Sequence, residues 1–309
     1  MAEGLDLQAW WESGARTSFE VSSLGEVSLF TRTQGEGAGP WTTFWHGFPT
    51  SSWDWAPVAA HLGEDRPRLF LDHLGFGASD KPATWRHSFQ DQLALCLGAW
   101  AHHGVEETLL VCHDYSVTLA QEVLARMDEG RWTGPEITAV LLLNGGLFYS
   151  AIQPRPIQRL LRSRITGPLV SRLITQGSFE RAMQRIVSDE HPFTRDELAQ
   201  HWQAIERSGG RRLAHRLARY QDEREAHEAR WTRALARAKV PVVLLWGLQD
   251  PVSGPAILDH ATDVAPYLEV HAWEAVGHYP HLEAPGSVAD LVQRVEAGDL
   301  EQFAAPDGS

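Results

Sequence analysis

"LLVCHDYSVTLAQE", residues 109–122, reads as a buried strand that stops at His113-Asp114-Tyr115 and restarts as a helix. Val117, Ala120, Val123, Leu124 and Met127 fall on one face of that helix. A carboxylate ending an apolar run costs burial energy that an apolar residue would not. Small residues, Cys112 and Ser116, stand two before and two after Asp114. That spacing suits a tight strand-to-helix turn, which crowds the backbone and lifts the central side chain clear. The helix that follows points N–H groups at the turn and favours negative charge there. Asp114 is therefore a candidate nucleophile. The plainer alternative is that it only caps the helix. Ser116 is the poorer candidate, because its own neighbours at two residues, Asp114 and Thr118, are too large for such a turn.

Working outward, apolar runs of strand length recur with helical stretches between them. A hairpin is expected over 20–30. Strands are expected at 41–45, 68–72, 108–112, 139–144, 240–247 and 267–273. Several are apolar on both faces, as strands of a parallel sheet covered by helices must be. The alternation predicts an α/β fold with a mostly parallel sheet. Between 147 and 235 the strand signal vanishes. "IQRLLRSRI", "FERAMQRIV" and "TRDELAQHWQAI" read as amphipathic helices, the last opening with Thr194 and Glu197 at capping-box spacing. The expected organisation is a core over 1–146, a helical insertion over 147–235, and the rest of the core over 236–309. An insertion after one sheet strand projects from that strand's carboxyl end, where open α/β sheets bind ligands, so it should roof a pocket.

Composition narrows the partners. The chain has 309 residues, 43% apolar and 22% charged, with a net charge of −13. That excess of acid argues against nucleic acid, whose phosphates are gripped by Lys and Arg. The insertion differs: it carries 16 Arg and 10 acidic residues, a net of +6, whereas the rest carries 11 basic and 30 acidic residues, a net of −19. Nothing at the start reads as a secretory signal, and the longest apolar stretch, "ITAVLLLNGGLF", is far short of the roughly 20 residues that span a bilayer. No membrane partner is expected on that ground. With two cysteines, Cys96 and Cys112, no disulfide framework is expected, and a reducing cytoplasm fits. The final "AAPDGS" reads as a frayed tail.

Further stretches bear on chemistry. "LLWGLQDPV" (244–252) ends a strand near Asp250, and "EAVGHYPHLE" (274–283) puts His278 in the loop after the next strand. Nucleophile, acid and histidine then follow in chain order. "FWHGFPTSSWDW" (44–55) follows a strand and reads as an oxyanion-hole turn. Gly47 permits an unusual backbone, and the N–H groups of Phe48 and Tyr115 serve as the donors. "LDHLGFGASDKP" (71–82) is a structural Gly-rich turn without a phosphate-loop ending. No metal is expected, because the pair His278-x-x-His281 has no acidic or cysteine partner at ligand spacing. The pocket should be aromatic, with Phe48, Trp53, Tyr115, Phe148, Tyr149, Tyr220 and Tyr279 as candidates and Trp53, Phe148 and Tyr279 as substrate contacts.

These pieces together make the chain resemble the α/β-hydrolase superfamily, in the branch of epoxide hydrolases and haloalkane dehalogenases. It looks like the mesoderm-specific-transcript-like hydrolases. The stretches that carry the resemblance are "HGFPTSSWDW", "LDHLGFGASDKP", "HDYSVTLAQE", "LLNGGLF", "LWGLQDPV" and "GHYPHLE", from about residue 44 to 285. The resemblance implies Asp114 as nucleophile, His278 as base, and Asp250 as its orienting acid. It implies a helical lid over the pocket that also supplies tyrosines. Tyr220 resembles the second of these. Residues 150–219 contain no tyrosine, which leaves Tyr149 as substitute for the first. The family usually has Gly where Ser116 stands; a stiffer elbow is the expected result. A dehalogenase would place Trp or Asn where Tyr115 and Phe48 stand. The implied reaction is hydrolysis of a small apolar epoxide to a diol through an ester on Asp114, with a phenol protonating the departing oxygen and without a cofactor. Alternatives are a haloalkane dehalogenase, an ester hydrolase, and a small-molecule binding protein without turnover. The expected partners are substrate and water, in a monomer or homodimer.

Overall fold

Eight strands form one sheet in the order β1-β2-β4-β3-β5-β6-β7-β8. The computed structural model describes residues 6–152 and 156–300, so the expected tail at 304–309 lies outside the described residues. The strands are β1 (Ala15–Val21), β2 (Gly25–Gln34), β3 (Trp41–Trp45), β4 (Arg68–Leu71), β5 (Glu107–Asp114), β6 (Glu136–Gly145), β7 (Val242–Gly247) and β8 (Glu269–Trp273). The first two form the expected hairpin, and β2 pairs antiparallel with β4. All later pairings are parallel.

Successive residues of β3 show why the sheet is covered on both faces. Phe44 stacks on Phe70 with ring centres 4.7 Å apart, and Trp55 closes over it at 5.2 Å. Trp45, pointing the other way, stacks on Trp100 at 5.2 Å. The two belong to separate hydrophobic cores, because side chains alternate across a strand. Each such buried aromatic contributes a large apolar area to the core.

The crossover from β5 to β6 is the helix Tyr115–Asp128; of the face that the sequence periodicity picked out, Val117, Ala120, Val123 and Leu124 are buried and Met127 is half-buried, while residues 115–121 are buried all round. Between β6 and β7 the described chain contains no strand. The helices Pro156–Arg162, Gly167–Leu173, Gln176–Gln184, Arg195–Glu206 and Tyr220–Ala236 lie there. The capping box of Thr194 and Glu197 is formed on both sides. The last of these helices packs along the helix Tyr115–Asp128. Arg230 pairs with Glu122 and Glu129, and the Trp231 indole donates to Glu122. This part of the insertion is thus fastened to the core. Among the described residues no helix is long and apolar enough to cross a membrane.

Candidate active site

The carboxyl ends of β3, β5 and β7 and the loop after β8 converge on Asp114. Its backbone has φ 46° and ψ −101°, a conformation that costs a non-glycine residue about 1–3 kcal/mol. The surroundings enforce it. A Cβ on Gly47 would sit 3.0 Å from the Asp114 Cβ and 2.7 Å from the His113 ring, so only glycine fits. Gly47 itself is not in the positive-φ region; it serves close approach, not the unusual backbone the sequence suggested. The Ser116 hydroxyl is buried within the turn. It accepts from the His113 N–H at 3.0 Å and lies 2.8 Å from the Trp45 carbonyl. Ser116 therefore knits β5 to β3, its hydroxyl occupied within the turn.

The Asp114 carboxylate is gripped at one oxygen. The Phe48 N–H donates to Oδ2 at 3.0 Å. Oδ1 faces the His278 Nε2, 3.8 Å away. The other ring nitrogen of His278 is 2.7 Å from Asp250 Oδ2. Asp250 is buried and accepts from the Asn144 amide at 3.0 Å, the Ser253 hydroxyl at 2.6 Å and the Val252 N–H at 2.7 Å. Burial opposes ionisation of Asp250, but His278 and these donors outweigh it and hold the carboxyl at about 2. Burial likewise pushes the His278 imidazole down. The charge of Asp250, its hydrogen bond and the charge of Asp114 overcome that and raise it to about 9.

The loop that carries His278 is held from several sides. The His113 ring contacts the His278 carbonyl at 2.8 Å. The His278 N–H donates to the Ile186 carbonyl at 2.7 Å. Glu283 accepts from the N–H groups of Gly277, Tyr279 and Ser188 at 2.8–3.0 Å. Helix Tyr220–Ala236 contributes Arg224, which donates to the Asp114 carbonyl at 3.0 Å and to Thr118 at 2.6 Å. Asn144, Ser253, Glu283 and Arg224 were not picked out from sequence. Asn144 and Glu283 lie inside the quoted "LLNGGLF" and "GHYPHLE", but nothing in the spacing said what they bond.

A cavity of about 720 Å³ opens onto Asp114 and His278. Phe48, Pro49 and Val252 line its floor, and the insertion supplies Ile157, Leu161, Ile174, Phe179, Met183, Ile186, Trp202 and Ile205, with Arg181, Arg185 and Arg211 among them. A smaller cavity of about 280 Å³ lies near Trp41 and Arg66, at the opposite end of the sheet from the site. Three substrate contacts expected from sequence lie elsewhere. Trp53 packs on His201, Phe148 on His260, and Tyr279 on His113 and Phe193, none on the cavity wall. They are core aromatics, and the wall is more aliphatic than expected.

The tyrosines separate in the same way. The Tyr115 side chain is buried, its hydroxyl 2.6 Å from His87. Tyr220 is edge-on to Tyr115 at 5.3 Å and 5.8 Å from the Phe48 ring, with the Arg224 guanidinium 4.5 Å from its centre. Burial raises the Tyr220 phenol, with Arg224 opposing, so it stays protonated at neutral pH. Neither Tyr220 nor Tyr149 is among the residues that line the cavity; Tyr149 is set apart from the Tyr115–Tyr220 group, its hydroxyl bound by Arg162.

His281 has an acidic neighbour after all. Ligand atoms of Asp54, His113 and His281 lie within 4.8 Å of one another, all buried. The fold brings Asp54 from a distant stretch, which the local spacing could not reveal. This set could hold a metal ion, with an Asp oxygen and two imidazole nitrogens as donors. Burial pushes the Asp54 carboxyl up and both imidazoles down, which favours the uncharged form of each. None of the three lines the cavity.

Residues 44–291 match the pattern of the alpha/beta hydrolase family. The chain is 34% identical to LipZ of Mycobacterium tuberculosis over 280 residues, 91% of this chain and 94% of that one. It is 33% identical to the mesoderm-specific transcript homolog protein of Bos taurus over 249 residues, 78% of this chain and 73% of that one. In three dimensions it is similar to haloalkane dehalogenase DbeA of Bradyrhizobium elkani, with a TM-score of 0.74, 21% identity, and 92% of this chain and 99% of that one covered. At that identity the likeness speaks for the fold alone.

Proposed function

The chain belongs to the alpha/beta hydrolase family, and from that premise we propose that it hydrolyses epoxides of small apolar molecules to diols through an ester on Asp114. One observation carries the reading. A carboxylate of the cavity lining stands where the elbow displays its side chain, with Oδ2 on the Phe48 N–H and Oδ1 toward His278. A carboxylate so placed suits attack at a saturated carbon.

In this reading Oδ1 attacks an epoxide carbon, the carbon–oxygen bond breaks, and the departing oxygen takes the proton of Tyr220, which packs behind Phe48 of the cavity wall. Oδ2 becomes the carbonyl oxygen of the ester and stays beside the Phe48 N–H. Esterification removes the Asp114 charge, one of the groups that hold His278 protonated, and the imidazole sheds its proton to solvent and can act as base. Water gives a proton to His278 and attacks the ester carbonyl carbon. Negative charge gathers on Oδ2, where the Phe48 and Tyr115 N–H groups stabilise it. The intermediate collapses, the diol oxygen takes the proton from His278, and the proton of the regenerated carboxyl returns to the Tyr220 phenolate. His278 then regains its resting proton from solvent. The helical insertion acts as a cap whose aliphatic wall excludes water during the first step. Tyr149, bound to Arg162, has no part in this sequence.

A second reading, dehalogenation, has one observation in its favour: the Trp202 indole lies on the cavity wall. Against it, Tyr115 and Phe48 offer the cavity no side-chain N–H. The test of both uses His278→Gln, which should form the ester and fail to release it. Incubation with a panel of small epoxides, haloalkanes and esters, followed by peptide mass spectrometry, should show an epoxide adduct on the peptide bearing Asp114. An adduct on Ser116, or none with a substrate the wild type turns over, refutes the Asp114 assignment. An adduct from haloalkanes alone transfers it to dehalogenation. Binding without turnover by the wild type replaces enzyme with binding protein.

A further inference from the structure

We propose that the outer face of the helices Pro156–Arg162 and Gly167–Leu173 docks on an anionic phospholipid surface. This goes beyond the proposed reaction and does not depend on it.

Among the described residues, the large apolar side chains that stand well out of the protein are concentrated in one stretch, 157–173. Ile165 is 90% exposed, Leu173 67% and Leu169 61%, with Ile157 and Leu160 beside them. A lone exposed leucine is ordinary, whereas a contiguous group on two packed helices and the turn between them, which carries Ile165, marks an interaction surface. The opposite sides of these helices are satisfied inside the protein: Leu161 and Ser171 are buried. The exposed residues are therefore not the leftover of an unburied core face.

Charge selects the occupant. Residues 137–179 contain five arginines and no acidic residue. Arg159, Arg164 and Arg172 are exposed and interleave with the apolar side chains. The chain outside 147–235 has a net charge of −19. An anionic membrane thus attracts this face and repels the remainder, which sets the orientation of approach. A second copy docked face to face would set the same arginines against one another. The apolar patch also borders the catalytic cavity, because Ile157 belongs to both. A lipophilic molecule leaving the bilayer would meet the cavity wall at that residue. The lack of a spanning stretch, from which no membrane partner was expected, does not bear on this. A surface-lying element needs an apolar face and nearby cations, not the length of a bilayer.

The test is co-sedimentation of the full chain with vesicles of phosphatidylcholine alone, or with about one third phosphatidylglycerol, at low and high salt. Binding should be at least tenfold tighter to the anionic vesicles and weaken at high salt. The triple variant Arg159→Gln/Arg164→Gln/Arg172→Gln should lose roughly a hundredfold, about fivefold per charge. Leu169→Ser/Leu173→Ser should lose at least tenfold at unchanged charge. Both variants should keep the wild-type circular dichroism, since these side chains are already in water. Asp114→Ala should bind vesicles as the wild type does, whatever reaction Asp114 serves. No binding to anionic vesicles, or binding that both surface variants retain, overturns the proposal. So does a dimer in solution that Leu169→Ser/Leu173→Ser dissociates while vesicles are ignored, because a second copy would then be the occupant.

Discussion

Replacing His278 by glutamine should flatten the dependence of stability on pH above neutrality. In the folded protein the imidazole is held at about 9, against 6.5 for an ordinary histidine. Burial acts the other way, and the two neighbouring carboxylates win. A group that binds its proton more tightly when folded stabilises the fold. That contribution is complete below about pH 6.5 and is lost as pH rises through about 9. The gap corresponds to about 3 kcal/mol, at 1.36 kcal/mol per pH unit. Lys81 has the opposite sign. Burial lowers its ammonium to about 8 although Asp72 resists, so its cost is relieved as pH rises from about 8 towards 10.5. The glutamine variant leaves Lys81 untouched, and the difference between the two proteins isolates His278. Urea unfolding at about pH 6.5 and about pH 9 is the assay. Between those limits the wild type should lose about 3 kcal/mol more than His278→Gln. Parallel pH profiles for the two proteins would refute the account of how His278 is held.

Two other substitutions probe the same site. Tyr220→Phe should lower kcat on an epoxide by about 10²–10⁴ with the unfolding midpoint little changed, the usual range for a lost general acid; wild-type turnover would remove Tyr220 from the mechanism. Asn144→Ala strips a donor from Asp250 and both bonds to the Gly247 backbone, which should cost about 2–4 kcal/mol in urea unfolding; a loss under 0.5 kcal/mol, the size of an ordinary surface change, would show that these bonds are replaced by solvent.

Local pattern determined much of this protein. The strand at 41–45 is found at the bounds the apolar run set, and the others within a few residues of theirs, because a covered parallel strand must be apolar on both faces wherever it lies in the sheet. The turn at Asp114 was legible because a small-x-Asp-x-small spacing is a steric demand within five residues. Asp250 and His278 were legible because each follows a strand whose end the sequence already marked, and the sheet gathers those ends on one edge.

Only the tertiary structure decided which aromatics line the cavity. Trp53, Phe148 and Tyr279 carry the same apolar signal whether they meet a cavity or a core, and the fold assigned them to the core. Asp54 joined His113 and His281, and Arg224 reached the Asp114 carbonyl, through contacts between residues far apart in the chain. Periodicity carries no information about such pairs. The stretch "IQRLLRSRI" shows the same limit from the other side. Its pattern specifies an amphipathic helix, and an apolar stripe is normally a buried one. The fold buries Leu161 and leaves Ile157, Leu160 and Ile165 in solvent. A residue's hydrophobicity states what its burial is worth, whereas the neighbour that would bury it is set by how separate helices stack.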